Sequence, residues 1–376
     1  MSILFSPLDI GPVQVPNRIA VAPMCMYSAD DGCATDWHLQ HMMSLAMSGC
    51  GAIIMEATGV SPEGRLTPGC LGLWSDANER ALERVITAAR KVAMPGVKFG
   101  IQLAHAGRKA SAALPWKGGK PISPAEGGWR RLAPSPLPFG DGWPAPEQID
   151  EAEIERIIKA YGEATRRAAR IGFDIVEAHA AHGGLPHQFF SPIANQRNDA
   201  WGGDQKGRMR FTIEMAASMK AAAPDNIALG ARINGTDYID GGLVLDDAIA
   251  QAAELKRQGL HFVCVSGGNI VPGGRPVTGV AFNVPNASRV KQETGLVTRT
   301  AGLIYDAMQA EEILQRGDVD QIAIARGVLD DPRWGWHAAE KMGVKLEMPK
   351  PYVRVGLGQW AGAKLVRPSV EAKAQS

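Results

Sequence analysis

The chain has 376 residues, 45% of them apolar and 21% charged, a composition that fits a folded globular protein and excludes a disordered or fibrous one. Its 40 basic and 39 acidic side chains nearly cancel, so no charge excess draws it to nucleic acid or to an anionic membrane. No apolar run approaches the roughly 20 residues that span a bilayer. The opening residues Met1 to Pro7 lack the basic and apolar regions of a secretory leader, so the expected location is cytoplasmic, with no membrane partner.

In chain order, short apolar runs rich in β-branched residues occur at 18–23, 51–57, 97–105, 173–179, 227–233, 262–268, 296–302 and 321–326. Nearly continuous apolar runs of this kind suit parallel strands buried on both faces. Between them, 76–93, 149–169, 245–258 and 306–316 carry apolar residues at spacings of three and four, the period of an amphipathic helix. Asp76 and Asp306 are the expected N-caps of two of these helices. Two segments break the alternation. Residues 107–147, after the third strand, are crowded with Pro and Gly and predict a loop or subdomain over one end of the fold. Residues 349–376 form an irregular tail, whose Tyr352, Arg354 and Trp360 either cover the same end, reach another subunit or belong to a loosely ordered terminus.

Eight β-α units without a domain break predict an α/β fold, a single (β/α)8 TIM barrel over residues 1–376 with an extended excursion after the third strand. A nucleotide-binding doubly wound sheet would carry a glycine-rich turn after its first strand, but Met24-Cys25-Met26-Tyr27 stands there. Gly107-Arg108-Lys109 lacks the spaced glycines and the Lys-Ser/Thr ending of a phosphate loop. The cysteines, Cys25, Cys33, Cys50, Cys70 and Cys264, are odd in number and never spaced CxxC, which indicates neither a disulfide framework nor an iron–sulfur cluster.

In a barrel the chemistry gathers at the C-terminal ends of the strands. Polar residues at those ends include Cys25, Tyr27, Glu56, Gln102, His179, His182, Arg232, Ser266 and Arg326. His179 and His182, three apart on a turn leaving a strand, can converge on one ligand oxygen. A structural pair and zinc ligation are the alternatives, and zinc lacks an evident third protein ligand. Gln102 and Arg232 suit the pyrimidine edge of a flavin, whereas an internal ion pair of Arg232 with Glu56 or Glu177 is the competing reading. Gly302 and Arg326-Gly327 follow strands seven and eight, where barrels commonly bind phosphate.

Longer motifs narrow the choice. They are Asn17-Arg18-Ile19-Ala20-Val21-Ala22-Pro23-Met24-Cys25-Met26-Tyr27, Asp36-Trp37-His38, Glu56-Ala57-Thr58, Gln102-Leu103-Ala104-His105-Ala106-Gly107-Arg108-Lys109 and His187-Gln188-Phe189-Phe190-Ser191-Pro192, followed by residues 195–203 and Asp331-Pro332-Arg333-Trp334. Together they resemble the Old Yellow Enzyme family of FMN-dependent ene-reductases, in its bacterial thermophilic-like or xenobiotic-reductase branch, from Leu4 to about Tyr352. The resemblance implies FMN as cofactor, NADPH or NADH as hydride donor, and activated alkenes as substrates. It implies Pro23, Met24, Cys25, Ala57, Gln102 and Arg232 as contacts of the flavin ring, with Gly302, Ala325 and Arg326 at the phosphate end. Cys25 would tune the flavin, Tyr27 would wall the substrate site, and His179 and His182 would grip the substrate's activating oxygen. Arg354 would enter a neighbouring subunit's site, in a homodimer or a dimer-based tetramer.

The chain departs from the family at one position. Where the family has His-x-x-His-Gly-Tyr, with the tyrosine as usual proton donor, this sequence has Gly184, followed by Leu185 and Pro186. Either Tyr27 or water supplies the proton, or reduction is slow, or the site serves altered flavin chemistry such as desaturation, double-bond isomerisation or nitro reduction.

Overall fold

The computed structural model describes residues 2–355 and 359–366. Each of the eight apolar runs forms a strand: β1 (Ile19–Val21), β2 (Ala52–Gly59), β3 (Lys98–Ala104), β4 (Ile175–Ala180), β5 (Ala228–Asn234), β6 (Phe262–Ser266), β7 (Val297–Thr300) and β8 (Gln321–Ile324). They pair in parallel in chain order, and β8 returns to β1 through Ala323 opposite Ala20, closing the barrel. The outer helices are α1 (Asp36–Ala46), α2 (Asp76–Val92), α3 (Glu151–Arg170), α4 (Gln205–Ala222), α5 (Leu245–Arg257), α6 (Val284–Thr294), α7 (Ala307–Gln315) and α8 (Trp334–Lys341).

Side-chain oxygens at the helix starts satisfy otherwise unpaired backbone N–H groups. Asp306 does this for α7, accepting from Met308 and Gln309. At α2 the cap is Ser75, not Asp76: the hydroxyl accepts from the Asn78 N–H, and Asp76 is the first helical residue, where its charge favours the helix dipole.

The two-residue period of the strands sorts the barrel into an inside and an outside. Ile19, Val21, Ile53, Met55, Val263 and Val265 pack outward against the helices. Ala20, Ala52, Ile54, Ile175, Ala228, Phe262 and Ala323 face inward, onto an N-terminal hairpin (Leu8–Ile10 with Val13–Val15) that plugs the lower end. Following the same parity upward, Gln102, Glu177, His179, Arg232, Asn234, Ser266, Arg299, Gln321 and Ala325 all point into the barrel.

Above the apolar plug these inward residues form a buried polar layer. Glu177 accepts from Gln102 Nε2 at 2.6 Å and from Arg299 at 3.1 Å, and Arg299 Nε donates to Gln321 Oε1 at 2.8 Å. Glu177 and Arg299 are both within 1% of full side-chain burial, so each is tolerable only because the other is present. Glu177→Leu is therefore expected to cost roughly 3–5 kcal/mol by stranding Arg299. The double variant Glu177→Leu/Arg299→Met should recover most of that loss in urea unfolding, and two additive single losses would show that the pair is not the cause.

Candidate functional site

The mouth is built by what happens just past each strand. In β2 the pairing with β3 skips one residue: Met55 lies opposite Ile101, but Ala57 lies opposite Gln102. This bulge turns Ala57 into the barrel beside Gln102 and re-aims Glu56, as bulges do. The Glu56 carboxylate then accepts from the Met26 N–H at 3.1 Å and meets His38 Nε2 at 3.3 Å, tying the loop after β1 to α1. Burial pushes the Glu56 carboxyl above its ordinary range, against the lowering effect of His38. β1 and β8 end together, because the Ala22 N–H donates to the Ile324 carbonyl at 2.9 Å; Pro23 and Met24 thus begin beside Ala325.

His179 points inward near the end of β4, opposite Arg232 of β5. The chain then turns through two left-handed residues, His182 (φ 52°) and Gly183 (φ 75°). A histidine in that region costs energy, and its neighbours hold it there. Its N–H donates to Asn234 Oδ1 at 3.2 Å, its carbonyl accepts from Lys109 Nζ at 2.7 Å, and the Gly183 N–H donates to His187 Nδ1 at 2.8 Å. As a result the two imidazoles lie 5.2 Å apart, centroid to centroid, with His182 Nε2 2.7 Å from Ser266 Oγ. Burial, reinforced by Arg232 and Lys109, drives His179 down to about 3 and His182 well below its ordinary value. Both rings are neutral at pH 7.

A buried network supports this turn from below. Asp237 accepts from Ser191 Oγ at 2.7 Å and from Asn234 Nδ2 at 3.2 Å, and lies 2.7 Å from His187 Nε2. Burial alone would raise its carboxyl, but the charge and hydrogen bond of His187, with the Leu243 N–H and Ser191, hold it down at about 2.

The competing reading, an ion pair of Arg232 with Glu56 or Glu177, is not what the structure shows among the described residues. Glu177 is taken by Arg299 and Gln102, and Glu56 by His38 and backbone. Among the described residues, Arg232 donates a single long hydrogen bond, to Ser266 Oγ at 3.3 Å, and its Nε is buried without a partner, as is His179 Nδ1. Arg299, deeper in the barrel, is the arginine that sequence reasoning overlooked; its position two residues before Ala301 on an inward parity was the available signal.

An open cleft of about 520 Å³ lies over these residues, lined by Cys25, Ala57, His179, His182, Gly184 and Lys109 among others. Cys25 has its thiol pushed well up, first by burial and then by Cys70 and Glu56. Tyr27 is half-buried beside it and is likewise pushed up by burial; its ring meets Trp116 of the excursion edge to face at 5.9 Å. Gln102 and Arg232 sit on the inner wall next to this cleft rather than among its lining residues. Gly302 follows β7 with φ 131°, and Arg326 is exposed at the start of a five-residue helix, Arg326–Asp330, after β8. Arg354 is exposed on the short 3-10 helix Lys350–Val355, away from the cleft, and the remainder of the expected tail, 356–358 and 367–376, falls outside the described residues. The excursion, residues 107–147, is held down by the buried guanidinium groups of Arg108, on the carbonyls of Leu137 and Ile270, and of Arg131, on those of Ala110, Ser111 and Ile122.

The neutral histidines make a pH-dependent contribution to stability. Their folded values lie below the unfolded value near 6.5, so the unfolded chain binds more protons on acidification and stability falls as pH drops from about 6.5 towards about 3. Replacing both by Asn should flatten the slope of unfolding free energy between pH 6 and 4, by up to about 1.4 kcal/mol per pH unit for each ring. An unchanged slope in urea titrations would mean that the rings are not held neutral.

A family model described as NADH:flavin oxidoreductase / NADH oxidase matches residues 3–344. NADPH dehydrogenase of Geobacillus thermodenitrificans is 37% identical over 355 residues, covering 94% of this chain and 98% of that one. NADPH dehydrogenase of Listeria innocua is 39% identical over 356 residues, covering 94% and 99%. Among solved structures, morphinone reductase superposes with a TM-score of 0.72 at 27% identity, covering 93% of this chain and 92% of that one. A 2-naphthoyl-CoA reductase shares the fold, with a TM-score of 0.78 at 24% identity over 90% of this chain and 52% of that one. No described helix is long and apolar enough to cross a membrane. With its closed eight-stranded barrel and a match over nearly its whole length, the chain belongs to the Old Yellow Enzyme family and is an FMN-dependent NAD(P)H:flavin oxidoreductase.

Proposed function

We propose that the chain is an ene-reductase, reducing the activated C=C bond of α,β-unsaturated carbonyl or nitro compounds at the expense of NADPH or NADH. The observation that carries this reading is the pair of neutral imidazoles beside an arginine with no carboxylate partner among the described residues, at the edge of an open cleft.

The residues present fit FMN. Arg232 Nε and His179 Nδ1 are buried polar atoms with no hydrogen-bond partner among the described residues, and a cationic guanidinium beside a carboxamide complements the electron-rich pyrimidine edge of a flavin. Pro23, Met24, Ala57, Gln102 and Arg232 would hold the ring, and Gly302, Ala325 and Arg326 the phosphate end. When bound, FMN supplies hydride transfer, with the nicotinamide as its source of electrons.

The protein's own part is binding and charge. His179 and His182 would hold the activating oxygen of the substrate, and as neutral N–H donors they can stabilise the negative charge that develops there without a buried cation of their own. Cys25 would lie beside the ring and Tyr27 would wall the substrate. The excursion, through Trp116 on Tyr27 and Phe139 beneath Lys109, would exclude water from the cleft. Arg354, exposed on the tail, would complete the site of a neighbouring copy in a homodimer or a dimer-based tetramer.

Gly184 favours a second reading, a flavoenzyme of the same fold with altered chemistry: desaturation, double-bond isomerisation or nitro reduction. The deciding experiment is a visible spectrum of the purified protein before and after anaerobic NADPH, then after 2-cyclohexenone. The ene-reductase reading expects yellow protein that bleaches with NADPH and recolours with the enone; a bleached enzyme that recolours only with a nitro compound lacking a conjugated C=C bond would favour the second. Gly184 has an ordinary backbone conformation (φ −67°, ψ 165°), and a Cβ there would lie 3.4 Å from three carbonyl oxygens, so a larger residue can be placed. Gly184→Tyr is accordingly expected to raise turnover of small cyclic enones several-fold. Level or lower steady-state rates with flavin still bound would show that Gly184 is not simply a missing acid.

A further inference from the structure

Reduction of an activated alkene needs a proton at the α-carbon, and at position 184 there is no side chain to give one. The cleft offers few other donors: Tyr27, raised by burial and set against Trp116, is not among its lining residues. Arg65 is committed to an ion pair with Asp31 and stacks between Trp74 and Trp129. His105 is pushed down to about 4 by burial, and its Nδ1 accepts from the Gly107 N–H. Cys70 is tied to Thr67 by two contacts at 3.3 Å, and burial raises both its thiol and that of Cys25. His179 and His182 are neutral and assigned to the substrate oxygen.

Lys109 is different. It ends the turn Gly107–Lys109 after β3, and its side chain runs along the turn that contains Gly183 and Gly184: a Cβ on Gly183 would lie 3.0 Å from Lys109 Cδ. Its Nζ donates to the His182 carbonyl at 2.7 Å and sits 4.9 Å from the centre of the Phe139 ring, with two further N–H bonds left to give. The charged and titratable groups that face it are Arg108 on its own turn, Arg275 from the loop after β6, and His179 and His182 from β4 and the turn after it. Among the described residues it forms no ion pair with a carboxylate. An ammonium group with cationic neighbours and no anion gives up its proton readily.

We propose that Lys109 is the proton donor to the α-carbon, in place of the side chain missing at Gly184; this rests on the ene-reductase reading above. Once hydride has reached the β-carbon, the π electrons reside on the α-carbon and the activating oxygen. The Lys109 N–H bond breaks, a C–H bond forms at the α-carbon, and the neutral amine recovers its proton from water. The acid is well matched to neutral pH, because burial, with Arg108 and Arg275, lowers Lys109 to about 8.

The test uses NADPH-reduced holoenzyme mixed with 2-cyclohexenone, together with a measurement that does not depend on turnover. The wild-type rate of reoxidation should fall above pH about 8, where the ammonium is lost. Lys109→Met should lose 10²–10⁴-fold and this alkaline limb with it. Lys109→Arg should lose a comparable factor although it keeps the charge, because guanidinium does not release its proton. Gly184→Tyr placed in the Lys109→Met background should restore the rate. Independently, the pH dependence of trinitrobenzenesulfonate labelling at Lys109, mapped by mass spectrometry, should have its midpoint near 8 and not near the ordinary lysine value. A Lys109→Arg rate within threefold of wild type, or a labelling midpoint above 10, overturns the proposal. Wild-type holoenzyme that bleaches with NADPH but never recolours with any enone defeats the ene-reductase reading itself.

Discussion

Unpaired positive charge at the barrel mouth is the constraint on which the rest of this site depends. One layer down, the protein neutralises its buried arginine: Arg299 meets Glu177 at 3.1 Å and Gln321 at 2.8 Å. At the mouth it does not. Among the described residues, Arg232 has a single long bond to a serine hydroxyl, and the Arg108 guanidinium donates only to carbonyls. The two nearby acids, Glu56 and Glu177, are engaged elsewhere, by His38 and by Arg299. Burying a cation without an anion is costly, and a fold retains such an arrangement when a ligand supplies the missing charge. Burial is the first cause that lowers His179, His182 and Lys109, and cations add to it: Arg232 and Lys109 at the two histidines, Arg108 and Arg275 at Lys109. Neutral imidazoles and an acidic ammonium thus share a cause, burial in a mouth that gathers cations.

Much of the fold could be read from the chain because strand and helix periods are local. All eight strands fall inside the apolar runs or within a residue or so of them, and the period of two placed Gln102 and Arg232 on the inner wall. What was not legible depends on partners distant in sequence. Glu177 and Arg299 are 122 residues apart, and nothing in either run says that this arginine, and not Arg232, takes the carboxylate. The bulge in β2 is equally silent: Met55-Glu56-Ala57 looks like regular alternation, yet the skipped register decides that Ala57 faces inward while Glu56 braces the loop after β1. At the start of α2 the two candidate caps are adjacent, and the choice of Ser75 over Asp76 depends on which backbone adopts the extended conformation.

The spacing of His179 and His182 was readable; the means of holding them was not. A three-residue separation at the end of a strand would normally splay the two rings, because the strand period and the turn period differ. They converge because His182 and Gly183 are both left-handed, and that conformation is kept by contacts from three other elements: Asn234 of β5, Lys109 of the turn after β3, and His187 of the helix Leu185–Phe190. The strain is local but its compensation is spread across the mouth.

That distribution links the geometry of the histidine pair to Asp237, which is not among the residues lining the cleft. Asp237 binds His187, Ser191 and Asn234, and two of those three hold the backbone at His182 and Gly183. Removing the Asp237 carboxylate would leave several buried donors unsatisfied and release the turn that carries His182, and with it the carbonyl that anchors Lys109 Nζ. A positioning residue of this kind acts on the histidine pair and on the ammonium at once. In the proposed proton delivery the turn from His182 to Gly184 would act as a single unit, because the His182 carbonyl fixes Lys109 Nζ beside the position where Gly184 carries no side chain.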